Sequence, residues 1–348
     1  MSQPRVSGLF ASTEARLAVI ALAVFIAMSL ASPDRFLSVQ NMTSMAFQFP
    51  EFAILALAMT LTMLTGGIDL SVVGVANLSA IIAASILTRY AGADAVGTQA
   101  LVWLALSLAA SVVVGVVAGL FNGVLIAVLG LPPILATLGS GLIFTGIAVA
   151  LTGGSAVMGF PAAVAWLGNG LVLGIPVPLI LFGILAGGLA FVLSRTGFGL
   201  KVQMFGANPL AARFAAIDVT GLLVRVYVAS GLLASIAGMV VMSRANSAKA
   251  DYGSSYLLLA VLIAVLGGVN PYGGYGRVIG VVLAVLTMQF LSSGLNMLQV
   301  SNFSRELIWG ALLIFVMIVN TRQGLRIRPR PRSAAPPAYP KLSRDPES

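Results

Sequence analysis

The stretch LTGGIDLSV, residues 64–72, decides how the rest of the chain is interpreted. It follows an apolar run, residues 52–63, in which two threonines are the only polar residues, and a second apolar run begins at Val72. Asp69 lies between these runs, directly behind a pair of glycines. A carboxylate in such surroundings needs a physical reason, because a buried charge is costly unless it is paired or hydrogen-bonded.

The composition identifies a protein that crosses a membrane several times. Of 348 residues, 59% are hydrophobic and 8% are charged, whereas soluble domains carry about 25% charged residues. The chain contains no cysteine and no histidine. Their absence excludes disulfides, thiolate chemistry and histidine general base catalysis, and it removes imidazole as a metal ligand. We therefore expect no catalytic residues and no metal site.

Hydropathy predicts an all-α polytopic protein with about ten transmembrane helices, since each crossing needs about 20 apolar residues. The eighth predicted span is too short to cross alone, and we expect it to extend into the flanking GSSY or GGVN. The predicted spans are residues 17–31, 51–65, 72–87, 101–122, 134–151, 177–193, 222–242, 257–266, 278–298 and 307–320.

The basic residues predict the orientation, because cytoplasmic loops hold an excess of Lys and Arg. With both termini cytoplasmic, only Arg35, Arg89, Arg244, Lys249 and Arg305 fall on the outer side. We thus predict a cytoplasmic N-terminus at 1–16, a transmembrane domain at 17–320 and a disordered basic cytoplasmic tail at 321–348. The net charge of +9 serves topology and attraction to anionic lipid, and no nucleic-acid partner is expected.

The longest charged interruption is the predicted cytoplasmic loop at about 195–221. Within it, Asn208 can cap a short helix that has Pro209 in its first turn. From the residues alone, a plain connector and a helix that docks on a partner are equally good interpretations.

Several long motifs resemble one family, the inner-membrane permeases of bacterial ABC importers for monosaccharides, in the ribose-type group. The resemblance extends over about residues 51–320. It is carried, in the family's order, by LTGGIDLSV, by GLFNGVLIAVLGLPPILATLGSGLIFTGIAVALTGG at 119–154, by GANPLAARFAAIDV at 206–219, by YGSSYLLLAVLIAVLGGVNPYGGYGRVIG at 252–280 and by SGLNMLQVSNFSRELIWGALL at 293–313.

The resemblance implies a fold similar to that of the larger-fold ABC importer permeases, and a mechanism that needs partners. Two permease subunits, either two copies or a copy and a related permease, would form the pathway in the bacterial inner membrane. A periplasmic sugar-binding protein would deliver the substrate, and ABC ATPase subunits would use ATP and Mg²⁺. The chain has no G-x-x-x-x-G-K-[ST] phosphate loop, so we expect it to bind no cofactor and to catalyse no reaction itself.

The resemblance also favours the docking interpretation of the cytoplasmic loop, as a rigid lever seated in a cleft of the ATPase. Small residues would permit close approach, and two charged residues could pair with the partner. The predicted coupling residues are Gly206, Asn208, Ala211, Ala212, Arg213 and Asp218.

Three interpretations of Asp69 remain open: capping of the next helix, a role in gating or the pathway, and contact with the sugar. In the first, the carboxylate accepts hydrogen bonds from backbone N–H groups near Val72, beside the positive end of the helix. Gly66 and Gly67 allow a tight reversal between two spans, and Ser71 belongs to the same motif.

Four amides are candidates for lining the pathway, because a sugar in transit needs weak hydrogen-bonding groups along its route. Each can equally well serve as a contact between helices. They are Asn77, Asn122, Gln289 and Asn296.

Alternative functions remain open at this point. The substrate could be a sugar alcohol or a furanosyl signalling molecule. An ion-coupled secondary transporter would need ionisable residues buried in mid-span, whereas Glu51, Asp69 and Glu306 all fall near predicted span ends. A membrane scaffold is a third possibility.

Overall fold

The computed structural model describes residues 12–327, with backbone alone at 302 and at 319–327. This part of the chain is almost entirely helical, and its four strands are two residues long each. The helices are α1 (Thr13–Ala31), α2 (Pro33–Phe36), α3 (Val39–Met63), α4 (Val72–Ile86), α5 (Gly97–Ala127), α6 (Pro133–Thr152), α7 (Ala162–Asn169), α8 (Val177–Arg195), α9 (Gly197–Ala207), α10 (Pro209–Phe214), α11 (Val219–Ala245), α12 (Tyr256–Leu266), α13 (Val278–Met297) and α14 (Asn302–Ile327).

Eight helices of the described chain are long and apolar enough to cross a membrane. They are α1, α3, α4 with its π-helical continuation Leu87–Ala91, α5, α6, α8, α11 and α13. The all-α membrane fold predicted from hydropathy is therefore confirmed. The other two predicted spans correspond to α12, which has 11 residues, and to α14, so this criterion yields eight spans where hydropathy predicted ten.

The second predicted span starts too late in the sequence. Hydropathy placed its start at Glu51, but α3 begins twelve residues earlier, at Val39, and contains Pro50 in its interior. Polar residues in its first half, among them Asn41 and Gln48, concealed this part of the helix. Glu51 consequently lies in the middle of a 25-residue helix, and the expectation that it falls near a span end was wrong.

Helix α12 is a half-length helix. Its 11 residues rise about 16 Å, which is half of the ~30 Å hydrocarbon core. The predicted extension into GSSY or GGVN is limited to Tyr256, because residues 253–255 and 267–268 form turns. A tight turn at Gly253, with φ +62°, breaks the chain ahead of α12.

The predicted cytoplasmic loop is itself mostly helical. It contains α9, which was not predicted, and α10, which was. As expected, Pro209 occupies the first turn of α10 and the Asn208 Oδ1 atom accepts a hydrogen bond of 3.0 Å from the Ala211 N–H.

The core of the bundle consists of α3, α4, α5 and α11. From Phe49 to Met63 every side chain of α3 is buried, and α11 packs against α5, α4 and α3. Helices α5 and α11 approach closely along the row Gly115, Gly119 and Gly123, where added Cβ atoms would meet the backbone of α11. The outer surfaces of α1, α5, α6 and α8 expose large apolar side chains, as contact with lipid requires.

Two short antiparallel strand pairs link loops at one end of the bundle. Strand β1 (Val157–Met158) pairs with β4 (Ser247–Ala248), and β2 (Leu171–Val172) pairs with β3 (Ile175–Pro176). The first pair ties the loop after α6 to the start of the loop that precedes α12.

The opposite end, which we call the α10 end, brings together α10, the turn at Leu64 and the loop 267–277. The start of α1 lies there too, because the Arg277 Nη1 atom is 2.8 Å from the Glu14 Oε1 atom. The predicted N-terminal segment lies outside the described residues up to 11, and the predicted tail does so from 328 onward. Helix α14 continues to Ile327, past the predicted start of that tail at 321.

Candidate coupling and translocation sites

The glycines of the motif make a turn that no larger residue would fit. Gly66 has a left-handed backbone with φ +78°, and its ideal Cβ would lie 3.1 Å from the Tyr272 carbonyl oxygen. At Gly67 a Cβ would lie 2.5 Å from the Tyr227 hydroxyl and 3.3 Å from the Pro133 Cβ. The predicted tight reversal is confirmed, and its walls come from the loop 267–277, α11 and the start of α6.

Asp69 is buried inside the bundle and joins the turn to α11. It is 1% exposed. Its Oδ1 atom accepts from the Ser71 N–H (3.0 Å) and the Ser71 hydroxyl (2.6 Å), and its Oδ2 atom accepts from the Ser230 hydroxyl (2.7 Å). Both carboxylate oxygens therefore have partners, with three hydrogen bonds in all.

The network extends to two further helices. The Asn122 amide on α5 donates to the Ser71 hydroxyl over 2.7 Å. On α6, the Thr137 hydroxyl oxygen accepts from the Leu70 N–H (3.0 Å) and lies 3.0 Å from the Ile68 carbonyl, to which it can donate. The motif is thus fixed to α5, α6 and α11 by polar contacts, which is the interhelical interpretation proposed for Asn122.

The capping interpretation of Asp69 needs a correction. The residue adjacent to the start of α4 is Ser71, and its side chain makes no capping bond to that helix. Asp69 does accept from a backbone N–H close to Val72, that of Ser71, but its second oxygen reaches α11 instead of the first turn of α4. The carboxylate is enclosed in this conformation, and both gating and sugar contact stay predictions.

The predicted coupling segment lies directly on the motif turn. An added Cβ at Gly206 would overlap the Leu64 carbonyl oxygen and the Gly274 nitrogen. The Gly274 N–H donates to the same Leu64 carbonyl over 3.0 Å. Three backbone segments, at 64, 206 and 274, are therefore in contact through glycines. Gly206 lies in the last turn of α9, and a displacement of α9 together with the adjoining α10 would press on the end of α3.

The exposed face of α10 differs from the one predicted. Ala212, which we expected to permit close approach of a partner, is 1% exposed and packs inside this chain. Arg213 is exposed, and the large apolar side chains of Leu210 and Phe214 are 63% and 84% exposed. Sequence reasoning missed Leu210 and Phe214, although their i, i+4 spacing puts them on one helix face.

Asp218 has a role within the chain. Its Oδ1 atom accepts from the Gly221 N–H over 3.0 Å and caps α11. Pairing with a partner protein stays a prediction for the exposed Asp218 and Arg213. Ala211 lies in the first turn of α10, where its N–H is bound by Asn208.

The four candidate amides do not form one lining. The Asn77 amide donates to the carbonyls of Ala250 and Tyr252, at 2.8 Å each, and borders a cavity of about 290 Å³. Asn122 belongs to the Asp69 network. Gln289, which is buried, and Asn296, which is exposed, lie on α13, a helix that packs against α1, α3, α8 and α12. Pathway lining stays a prediction for each of them.

A second buried charge was missed altogether. Glu51, 3% exposed, forms an ion pair with Arg244 at the end of α11 and accepts from the Tyr256 hydroxyl over 2.7 Å. The ion pair ties the middle of α3 to the end of α11, and the Tyr256 bond ties it to the start of α12. The signal was present in Glu51 itself, but the misplaced boundary of α3 made it look like a terminal residue.

Fold and contacts together define a multi-pass membrane protein with a half-length helix, α12, preceded by a loop that borders a polar cavity, and with a short helix, α10, that exposes apolar side chains. The family described as the branched-chain amino acid transport system permease component matches residues 41–317. The chain belongs to this permease family, which places it in the inner membrane as a translocation subunit.

The curated relatives cover most of the chain. The ribose import permease protein RbsC of Escherichia coli K12 is 33% identical over 309 residues, 88% of this chain and 93% of that protein. The autoinducer 2 import system permease protein LsrD is 33% identical over 290 residues in Enterobacter sp. strain 638, covering 82% and 85%. In Photorhabdus temperata it is 34% identical over 311 residues, covering 88% and 90%. The predicted resemblance is confirmed. No solved structure matches the chain.

Proposed function

We propose that this chain is the transmembrane permease of an ATP-driven importer that moves a monosaccharide across the bacterial inner membrane. The observation that carries the proposal is the glycine contact of Gly206 with Leu64 and Gly274. Gly206 lies in the last turn of α9, directly ahead of α10 with its exposed apolar face, and it meets the turn that leads to the buried Asp69 network. Such a connection is what a subunit needs if a partner outside the membrane is to move its helices.

The partner at α10 would be an ABC ATPase that binds ATP and Mg²⁺. Phe214 and Leu210 present a large apolar contact beside the charge of Arg213, and aromatic and arginine side chains dominate binding energy at interfaces. The chain supplies no phosphate-binding loop of its own. ATP hydrolysis would therefore move α10, and the tight backbone contacts at Gly206 would pass the motion to α3.

The substrate proposal rests on the relatives. One imports ribose and the others import autoinducer 2, so a simple monosaccharide is our first choice and a furanosyl signalling molecule is the second. A periplasmic sugar-binding protein would deliver the substrate. A second copy of this chain or a related permease would complete the pathway, and a sugar alcohol is a further substrate candidate.

We place both termini in the cytoplasm. The start of α1 and α10 lie at the same end of the bundle, as the Glu14–Arg277 ion pair and the Gly206 contacts indicate. Docking of an ATPase on α10 makes that end cytoplasmic.

The test is reconstitution of the permease with its ATPase in liposomes. We expect uptake of labelled sugar that needs ATP, Mg²⁺ and a sugar-loaded binding protein. Uptake driven by a proton or sodium gradient without ATP would refute the proposal and support ion-coupled transport. Ligand identification on the binding protein, by thermal shift against pentoses, hexoses, polyols and autoinducer 2, would then select the substrate.

A further inference from the structure

The loop between α11 and α12 descends into the membrane-embedded part of the bundle. Three observations support this. Helix α12 rises only about 16 Å from its end at the loop 267–277. Its first residue, Tyr256, donates a hydrogen bond to Glu51 in the middle of α3. Asn77, in the second turn of α4, donates to the carbonyls of Ala250 and Tyr252. Residues 249–255 therefore lie well below the membrane surface.

This loop carries a charged pair on an open face. The Lys249 Nζ atom is 2.9 Å from the Asp251 Oδ2 atom, and the two side chains are 38% and 63% exposed. Charged groups at membrane depth face protein or water, because exposure to lipid is costly. Irregular backbone at that depth is likewise tolerated where it lines a cavity. The face with Lys249 and Asp251 thus borders an aqueous space and not lipid.

A cavity of about 290 Å³ opens at this face. Its volume is near the lower end of the range for small-molecule sites, about 300–1,000 Å³. Polar groups on three sides line it: Asn77 from α4, Thr145 from α6, and Lys249, Asp251 and Ser254 from the loop. A larger cavity of about 460 Å³ lies among α8, α9 and the start of α13, but its one charged side chain, Arg277, is already paired with Glu14.

We infer that the cavity at Asn77, Lys249 and Asp251 is a transit site for a neutral polyhydroxylated solute, a single sugar ring. The paired charges cancel, so the cavity favours neither an anion nor a cation. An ammonium donates and a carboxylate accepts, while Ser254 and Thr145 can do both, which suits vicinal hydroxyls. This inference rests on the proposed function and adds the position at which the sugar pauses.

The loop is held rigidly enough to serve as a site. The side-chain amide of Asn77 donates to the two loop carbonyls, those of Ala250 and Tyr252. The Tyr252 hydroxyl lies 2.7 Å from the Ser247 hydroxyl, and β4 pairs with β1. The charged side chains therefore extend from a fixed backbone. The cavity offers a sugar few hydrogen bonds, and its charged side chains are partly exposed. These features imply weak binding of the sugar, which its release on the other side of the membrane requires.

The test uses the absence of cysteine from the chain. A single cysteine is introduced as Ser254→Cys in the cavity, or as Thr98→Cys at the exposed start of α5 as the control, in the full chain in liposomes. Labelling by a charged, membrane-impermeant thiosulfonate is timed with D-ribose, with L-leucine and without solute. Bound sugar slows labelling by the factor 1 + [L]/Kd, about threefold at twice the Kd.

We expect ribose to slow labelling at Ser254→Cys but not at Thr98→Cys. Equal rates with and without ribose would overturn the site, and protection by leucine alone would overturn the substrate class. In the reconstituted importer, Asp251→Asn should lower uptake about tenfold, the cost of one charge-assisted hydrogen bond, with ATP hydrolysis retained. The control is Asp94→Asn, an exposed residue in the loop before α5.

The two proposals fail in different ways. A wild-type complex that transports no sugar refutes the proposed function, while the labelling experiment still decides the site on the permease alone. Normal ATP-driven uptake with an unprotected Ser254→Cys, or with unimpaired Asp251→Asn, refutes only the transit site.

Discussion

Ser230→Ala should weaken the bundle by removing a single bond to the buried carboxylate. The Ser230 hydroxyl donates to the Asp69 Oδ2 atom over 2.7 Å, and both residues are buried. Bonds between membrane helices contribute about 0.6 kcal/mol on average and up to ~1.7 kcal/mol, and bonds to charged groups contribute about 1.5–3 kcal/mol in soluble proteins. We therefore expect a loss of about 1–2 kcal/mol in the free energy of unfolding.

The same helix offers a matched control. Ser243 is also buried on α11, but its hydroxyl has no hydrogen-bond partner among the described residues. Ser243→Ala deletes the same atom and should change the free energy by less than ~0.5 kcal/mol. Steric trapping in detergent or bicelles measures these differences, and thermal unfolding followed by tryptophan fluorescence gives the same order.

A double-mutant cycle tests the partner directly. In an Asp69→Asn background the charge is absent, so the effect of Ser230→Ala should shrink by about 1 kcal/mol. Equal losses for Ser230→Ala and Ser243→Ala, or strict additivity with Asp69→Asn, would refute the reasoning that Asp69 holds α11 to the motif turn.

Three further predictions concern coupling and packing. Gly206→Ala should abolish uptake, because its Cβ would overlap the backbone at Leu64 and Gly274. The control variant Gly187→Ala on α8, whose Cβ meets open space, should transport normally. Equal uptake by the two variants would contradict the coupling contact. Phe214→Ala should weaken ATPase binding about 30-fold, or ~2 kcal/mol, in a pull-down titration, and an equal loss with the lipid-facing Phe191→Ala would argue against a docking face. Glu51→Gln should cost about 1–3 kcal/mol of stability, since it removes one member of a mostly buried ion pair, and an unchanged melting temperature would show that this pair contributes nothing.

Local sequence carried the class of the protein and some of its details. Transmembrane helices can be recognised from apolar runs without knowledge of tertiary contacts, because each helix must form the hydrogen bonds of its backbone groups internally. The cap at Asn208 and the backbone bonds of the turn at Gly66 and Gly67 also depend on neighbours a few residues away. Short patterns are sufficient to predict these features, although distant segments form the walls around the glycine turn.

Contacts between distant segments decided the candidate sites. Asp69 and Ser230 are 161 residues apart, and Asn77 bonds residues more than 170 positions away. The same holds for Gly206 on Leu64 and for Glu51 with Arg244. Hydropathy also misplaced the start of α3, because polar residues that are satisfied by other helices look like a loop when those helices are unknown.

The sequence by itself thus determined an all-α membrane permease and its family, while the role of the segment at 206–219 as the contact with an ATPase stays a prediction. Only the tertiary structure decided that Asp69 is buried and bonded to α11, that Ala212 faces inward while Phe214 faces outward, and that α12 is a half-length helix preceded by a loop that borders a polar cavity. The reason is physical: hydrophobicity and turn chemistry act along the chain, whereas hydrogen-bond partners and close glycine contacts exist only once the helices are packed together.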